Sequence, residues 1–292
     1  MTKITLLDGG MGQELIARAP NKPTGLFSAQ ALLDDPELIT AVHSDYFKVG
    51  ADIATTASYA IQRDRLDPIG LGDQFEAMHH QACRLAVKAR DGFGSGRVAG
   101  SLGPLGWSYR PDLAPPVDKA AALYAEIVQI QGEYVDFFLI ETMSSVEQAR
   151  GALMGATAVS KPIWLSISVD DEDGAKLRSG EPVQAILPLL TEYNIEALLV
   201  NCSIPEAITQ AITQLVNNKV PVGGYANGFT KITSSFKEKG STVEALAARE
   251  DLGPDRYANH VGQWLKDGAT IIGGCCEVGP AHIQELANRY KR

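Results

Sequence analysis

Strand-like runs and helical stretches alternate along the whole chain, and this regularity limits the folds open to it more than any single motif. The strand-like runs are Ile4–Asp8, Asp52–Thr56, Arg97–Ser101, Asp136–Glu141, Pro162–Ser168, Glu196–Asn201, Val220–Tyr225 and Ala269–Gly273. Between them lie helical patterns, the first led by Pro36 with Asp35 placed to cap it and running to Phe47. The others are Gln74–Ala89, Pro116–Glu133, Ser145–Ala158, Glu181–Glu192, Pro205–Val216, Asp255–Lys266 and Pro280–Tyr290. No Pro/Gly/Ser linker divides the series. Strand then helix, eight times over, predicts an α/β fold, a single (β/α)8 barrel, which typically takes about 250 residues. The 292 residues are therefore expected to form one domain, 1–292, near the size limit of a single core.

A doubly wound sheet is the competing arrangement, and its dinucleotide fingerprint is missing. Gly10 and Gly12 are followed by Leu15 where the third glycine belongs, and Gly92-Phe93-Gly94 runs out at Arg97. No phosphate loop of the G-x-x-x-x-G-K-[ST] type occurs. A net charge of −9 without a basic block argues against nucleic acid or an anionic membrane as partner and favours small-molecule substrates. Asp8 interrupts the N-terminal apolar run too early for a signal peptide, and no apolar stretch is long enough to span a bilayer. Four cysteines in such a chain suggest a reducing compartment, so a cytoplasmic location is expected.

Three of those cysteines stand where strands end. Cys202 follows Ala197–Asn201, and Cys275 and Cys276 follow Ile271–Gly274. In a barrel these are the tops of strands six and eight, on the face where barrel active sites are built. Three thiolates with an open fourth position suit a catalytic zinc. Buried packing is the competing role, because cysteine is among the most often buried residue types. Adjacent cysteines also alternate faces on a regular strand, so Gly273-Gly274 and Gly279-Pro280 would have to bend the backbone. Cys83, inside a helical stretch, is assigned to the core. Two long segments, Gly103–Pro116 and Asn227–Arg249, leave strand ends on the same face.

Asn201-Cys202-Ser203, together with Gly273-Gly274-Cys275-Cys276 and Pro280-x-His282-Ile283, resembles the homocysteine-binding domain of the homocysteine S-methyltransferases. The likeness extends to Leu7-Asp8-Gly9-Gly10-Met11-Gly12, Thr55-Thr56-Ala57-Ser58-Tyr59, Gly100-Ser101-Leu102-Gly103-Pro104 and Ile140-Glu141-Thr142, and so covers essentially the whole chain. It implies a barrel whose Cys202, Cys275 and Cys276 bind zinc and serve methyl transfer to homocysteine, giving methionine. It further implies Glu141 for the substrate ammonium, with Asp8 and Gly9 at the base of the site. Tyr59 falls inside a family-like motif, and Asn227 either contacts substrate or takes a left-handed turn. Tyr59, Trp107, Tyr109 and Tyr225 are the aromatics available to hold a cationic donor.

The implied donor is a small sulfonium, S-methylmethionine or S-adenosylmethionine, with betaine or another thiol or selenol acceptor as alternatives. The chain departs from the family at Glu277-Val278-Gly279, which brings a carboxylate near the proposed metal, and at Leu105–Arg110. If Glu277 closed the fourth metal position, the chain would be a zinc-binding or redox barrel without methyl transfer. The five histidines all fall in helical stretches, and the acidic run Asp170–Asp173 is expected to be a solvated loop.

Overall fold

The computed structural model describes residues 3–18, 28–238 and 245–291. Eight strands form: β1 Thr5–Leu6, β2 Ile53–Thr55, β3 Arg97–Leu102, β4 Phe137–Met143, β5 Ile163–Ile167, β6 Ala197–Asn201, β7 Val222–Tyr225 and β8 Ile271–Ile272. They make one parallel sheet in the order β1-β8-β7-β6-β5-β4-β3-β2. A parallel bridge between Leu7 and Ile53 brings β1 back to β2, so the sheet curls into the expected (β/α)8 barrel. The Leu6 N–H donates to the Asp52 carboxylate at 2.8 Å and the Asp52 N–H to the Leu6 carbonyl at 2.7 Å, which reinforces this short seam.

The helices start and stop where side chains satisfy their ends. Asp35 caps Pro36–Lys48 by accepting from the Leu38 N–H at 3.3 Å, and Ser145 caps Val146–Ala156 by accepting from Gln148 at 3.1 Å. Gly94, with φ 87°, ends Phe75–Phe93 in the left-handed conformation. The stretch expected to be one helix over 181–192 is instead a 3-10 turn, Val183–Ile186, followed by Leu187–Glu192. Pro188 lacks an N–H and so suits the start of the second helix, not the interior of a longer one.

Two apolar layers result. Between strands and helices lies the larger one, which includes Cys83, fully buried and with its thiol pushed up to about 12 by that burial. Cys83 is thus a packing residue, in keeping with its helical position. The second layer fills the barrel: Leu7, Ile53, Ala99, Phe137, Leu139, Trp164, Ala197, Leu199, Tyr225 and Ile271. No helix among the described residues is long and apolar enough to cross a membrane.

Candidate active site

Strand alternation sorts the barrel interior by height. Phe137 and Leu139 on β4, Ala99 on β3 and Trp164 on β5 point inward low in the barrel. Counting upward in steps of two, the next inward positions are Glu141, Ser101 and Ser166, with Thr55 on β2 and Asn201 on β6 at similar height. Polar residues therefore replace apolar ones at the C-terminal end. Above them opens a cavity at the C-terminal mouth of the barrel. Asp8, Gly9, Thr55, Tyr59, Ser101, Glu141, Tyr225 and the three strand-end cysteines all line it.

The sulfurs of Cys202, Cys275 and Cys276 lie within 4.8 Å of one another, the one metal-ligand cluster among the described residues. Because Asn201 faces the interior, Cys202 on a regular strand would face the helices. Its φ of 49° turns it over the cavity, a conformation that costs a non-glycine residue about 1–3 kcal/mol. On the other side, the Val278 N–H donates to the Cys275 carbonyl at 3.1 Å, closing a turn in which Glu277 has φ 64°. The Cys275 N–H donates to the Ala226 carbonyl at 2.9 Å, and the Cys276 carbonyl accepts from the Gly228 N–H at 2.8 Å. This is the irregular backbone that adjacent cysteines need to share one site. A Cβ on Gly10 would come within 2.6 Å of the Cys275 carbonyl oxygen, so only glycine lets the β1 loop pack beneath the turn.

Cys202 and Cys275 are joined as a disulfide here, with Cys276 a free thiol. Reduction yields three thiols, which bind a metal as thiolates. Once reduced, Cys202, Cys275 and Cys276 would supply three sulfur donors to a tetrahedral zinc and leave one position open. Burial pushes the Cys276 thiol up to about 12, so its ionisation at neutral pH calls for a nearby cation. The Glu277 carboxylate does not belong to the cluster, which removes the main support for a closed metal site.

Two buried carboxylates line the same cavity as the sulfurs. Glu141 accepts from the Ser101 hydroxyl at 2.5 Å and from the Tyr225 hydroxyl at 3.0 Å. Asp8 accepts from the Thr55 N–H at 2.7 Å and the Thr55 hydroxyl at 2.9 Å. Burial raises the pKa of Glu141, and these hydroxyl contacts offset part of the rise. For Asp8 burial dominates over the Thr55 bonds, with a smaller push from Glu141, and the carboxyl is raised to about 7. Neither acid forms a salt bridge among the described residues, so each offers its charge to a cationic ligand. Asn201 ties the rim together, accepting from the Thr142 N–H at 3.0 Å and Ser166 at 2.8 Å while donating to Thr142 Oγ1 at 2.9 Å.

The aromatics divide. Tyr59 and Tyr109 line the cavity, Tyr225 does so while serving Glu141, and Trp107 lies outside it against Arg65, 4.9 Å from ring centroid to guanidinium. Phe229 and Phe236, which nothing in the sequence singles out, complete the wall and pack with Tyr109 and Cys202. Tyr109 and Phe236 come from the two long excursions, and their ring centroids are 6.0 Å apart. Residues 239–244 of the second excursion lie outside the described residues. Asn227 does not line the cavity and has no positive φ. It accepts from the Phe229 N–H at 3.2 Å, which makes it a brace for the β7 loop. No histidine lines the cavity; His282 bonds the Leu252 carbonyl at 3.1 Å.

The sequence pattern of the homocysteine S-methyltransferase family matches residues 5–290. A homocysteine S-methyltransferase of Escherichia coli strain K12 is 31% identical, over 98% of this chain and 95% of its own. Homocysteine S-methyltransferase YbgG of Bacillus subtilis strain 168 is 29% identical, over 97% of this chain and 93% of its own. Among solved structures, the metallated form of the E. coli homocysteine methyltransferase MmuM matches with a TM-score of 0.83 at 31% identity, covering 98% of this chain and 96% of that one. Its oxidized form matches with a TM-score of 0.82. With barrel, strand-end cysteines and paired acids in place over the same span, the chain belongs to the homocysteine S-methyltransferase family.

Proposed function

We propose that the chain transfers a methyl group from a small sulfonium, S-methylmethionine or S-adenosylmethionine, to the sulfur of homocysteine, giving methionine, with zinc held by Cys202, Cys275 and Cys276. The observation that carries this reading is the placement of three mutually close sulfurs and two unpaired carboxylates around one cavity. A ligand with a thiol at one end and an ammonium at the other would find a partner for each end there.

Zinc, when bound, supplies the deprotonated form of an alkyl thiol whose ordinary pKa is near 8.5. The chain's own groups do the rest. Glu141, oriented by Ser101 and Tyr225, takes the ammonium, and Asp8 adds a second negative charge at the base. The first turn of the helix Met11–Arg18 lines the same cavity, and its N–H groups, without partners inside the helix, are the donors for the amino-acid carboxylate. Tyr59, Tyr109, Phe229 and Phe236 present rings to the positive donor and keep water from the sulfur. The thiolate forms a carbon–sulfur bond to the methyl group as the donor's carbon–sulfur bond breaks, and the electron pair leaves on a neutral sulfide. No general acid is needed, and alignment of the two sulfurs supplies much of the acceleration.

The test is methionine formation by reduced, zinc-loaded protein given homocysteine with S-methylmethionine, S-adenosylmethionine or betaine in turn. A sulfonium turned over at least tenfold faster than betaine supports the assignment. Faster turnover of betaine would replace the donor, and no methionine from any of the three would refute the reaction.

A further inference from the structure

The disulfide to Cys275 holds Cys202 in this structure, but in the reduced, metal-binding form its left-handed backbone must be kept by other contacts. Its N–H donates to the Tyr225 carbonyl at 3.3 Å, and its carbonyl accepts from Arg178 Nη2 at 3.1 Å and Ser168 Oγ at 3.4 Å. The Arg178 side chain is 3% exposed and engages all three nitrogens. Nε donates to Ser168 Oγ at 2.7 Å, Nη1 to Asp171 Oδ2 at 3.2 Å, and Nη2 to Asp171 Oδ1 at 3.0 Å as well as to Cys202. Asp171 in turn accepts from the Ile204 N–H at 3.2 Å and the Ile232 N–H at 2.9 Å. The guanidinium also lies 4.7 Å from the centroid of the Tyr109 ring, part of the cavity wall. One ion pair thereby joins the segments that follow β3, β5, β6 and β7. The acidic run 170–173 is therefore not wholly a solvated loop, because Asp171 is its buried member.

We infer that Arg178, locked by Asp171, is a positioning residue for methyl transfer: it fixes Cys202 in the conformation that brings its sulfur to Cys275 and Cys276, and it seats Tyr109 in the donor wall. The inference rests on the proposed reading of the site. Its chemistry requires arginine, because a planar fork meets a carboxylate with two bonds while still reaching a hydroxyl and a carbonyl; a lysine ammonium is a single point. Outer groups that orient a metal ligand commonly change metal affinity by about 10–100-fold.

The test compares full-length Arg178→Lys and Arg178→Met with wild type under reducing conditions. The readouts are far-UV circular dichroism, zinc affinity by chelator competition, the thiolate-to-cobalt absorption of the cobalt(II)-loaded protein, and KM for each substrate. Folded variants with zinc affinity down by about 10–100-fold, a weakened cobalt–thiolate band and a raised donor KM are expected. Zinc affinity within twofold of wild type in folded Arg178→Lys would overturn the inference. Loss of the fold in both variants would also overturn it, since the pair would then be a stability element. Wild type that binds no zinc would refute the site reading itself, a separate outcome from failure of the clasp.

Discussion

The bottom and the mouth of the barrel are built from the same strands by the same alternation, yet they behave as different materials. Low in the barrel Phe137 and Trp164 pack with ring centroids 4.3 Å apart and Arg97 lies over the Phe137 ring at 4.5 Å. Higher on β4 and β3, Glu141 and Ser101 are also buried, but their contacts are hydrogen bonds in a directed network. Burial alone does not separate the two ends. What separates them is whether a side chain's polar demand is met inside the protein or left for a ligand. The bottom is satisfied and should govern stability, whereas the mouth holds unpaired carboxylates and should govern binding.

Substitution at the cysteines gives the sharpest contrast. Alanine at Cys202, Cys275 or Cys276 should remove stable zinc binding and lower methionine formation by more than the roughly 100-fold seen for outer groups, with circular dichroism unchanged. Cys83→Ala should leave turnover intact and cost about 1 kcal/mol in urea unfolding. Wild-type turnover in any of the first three would break the distinction. At the bottom, Phe137→Ala should cost about 3–5 kcal/mol of stability while the remaining folded enzyme keeps its kcat, and a large fall in kcat at unchanged stability would count against the division.

Weaker effects belong to the acids. Glu141→Gln removes a charged contact of about 1.5–3 kcal/mol, so KM for homocysteine should rise about 10–100-fold with little change in stability. An unchanged KM would remove Glu141 from the ammonium site. Asp8, raised to about 7 from an ordinary 3.8, gives the smallest effect. Between those values the folded state holds the proton more tightly than the unfolded one, so Asp8's contribution to stability falls as pH rises through that window. Ligand binding has the opposite sign, because only ionised Asp8 attracts an ammonium. KM for homocysteine should therefore fall by up to about tenfold from pH 6 to pH 8, and Asp8→Asn should flatten that part of the profile.

Much of this architecture is legible in the amino-acid order alone. Period and capping place all eight strands to within a few residues, because alternation and helix-start chemistry are local. The cysteines, Asp8 and Glu141 stand out because they lie at strand ends, which in a barrel share one face, whereas Gly9 and Tyr59 are implied by the family resemblance. The two excursions are not legible in detail. Tyr109, Phe229 and Phe236 meet only through loop paths that follow no period, and the Asn227 bond to the Phe229 N–H depends on the same loop path. Asp171 reads as solvated in an acidic run because its partner Arg178 is brought to it only by tertiary packing.

The most direct test of the central claim is zinc content with zinc X-ray absorption on reduced protein, before and after homocysteine. One zinc per chain whose sphere goes from three sulfurs to four on adding the thiol is the expected result. A sphere that keeps an oxygen ligand such as Glu277 and ignores homocysteine would contradict it.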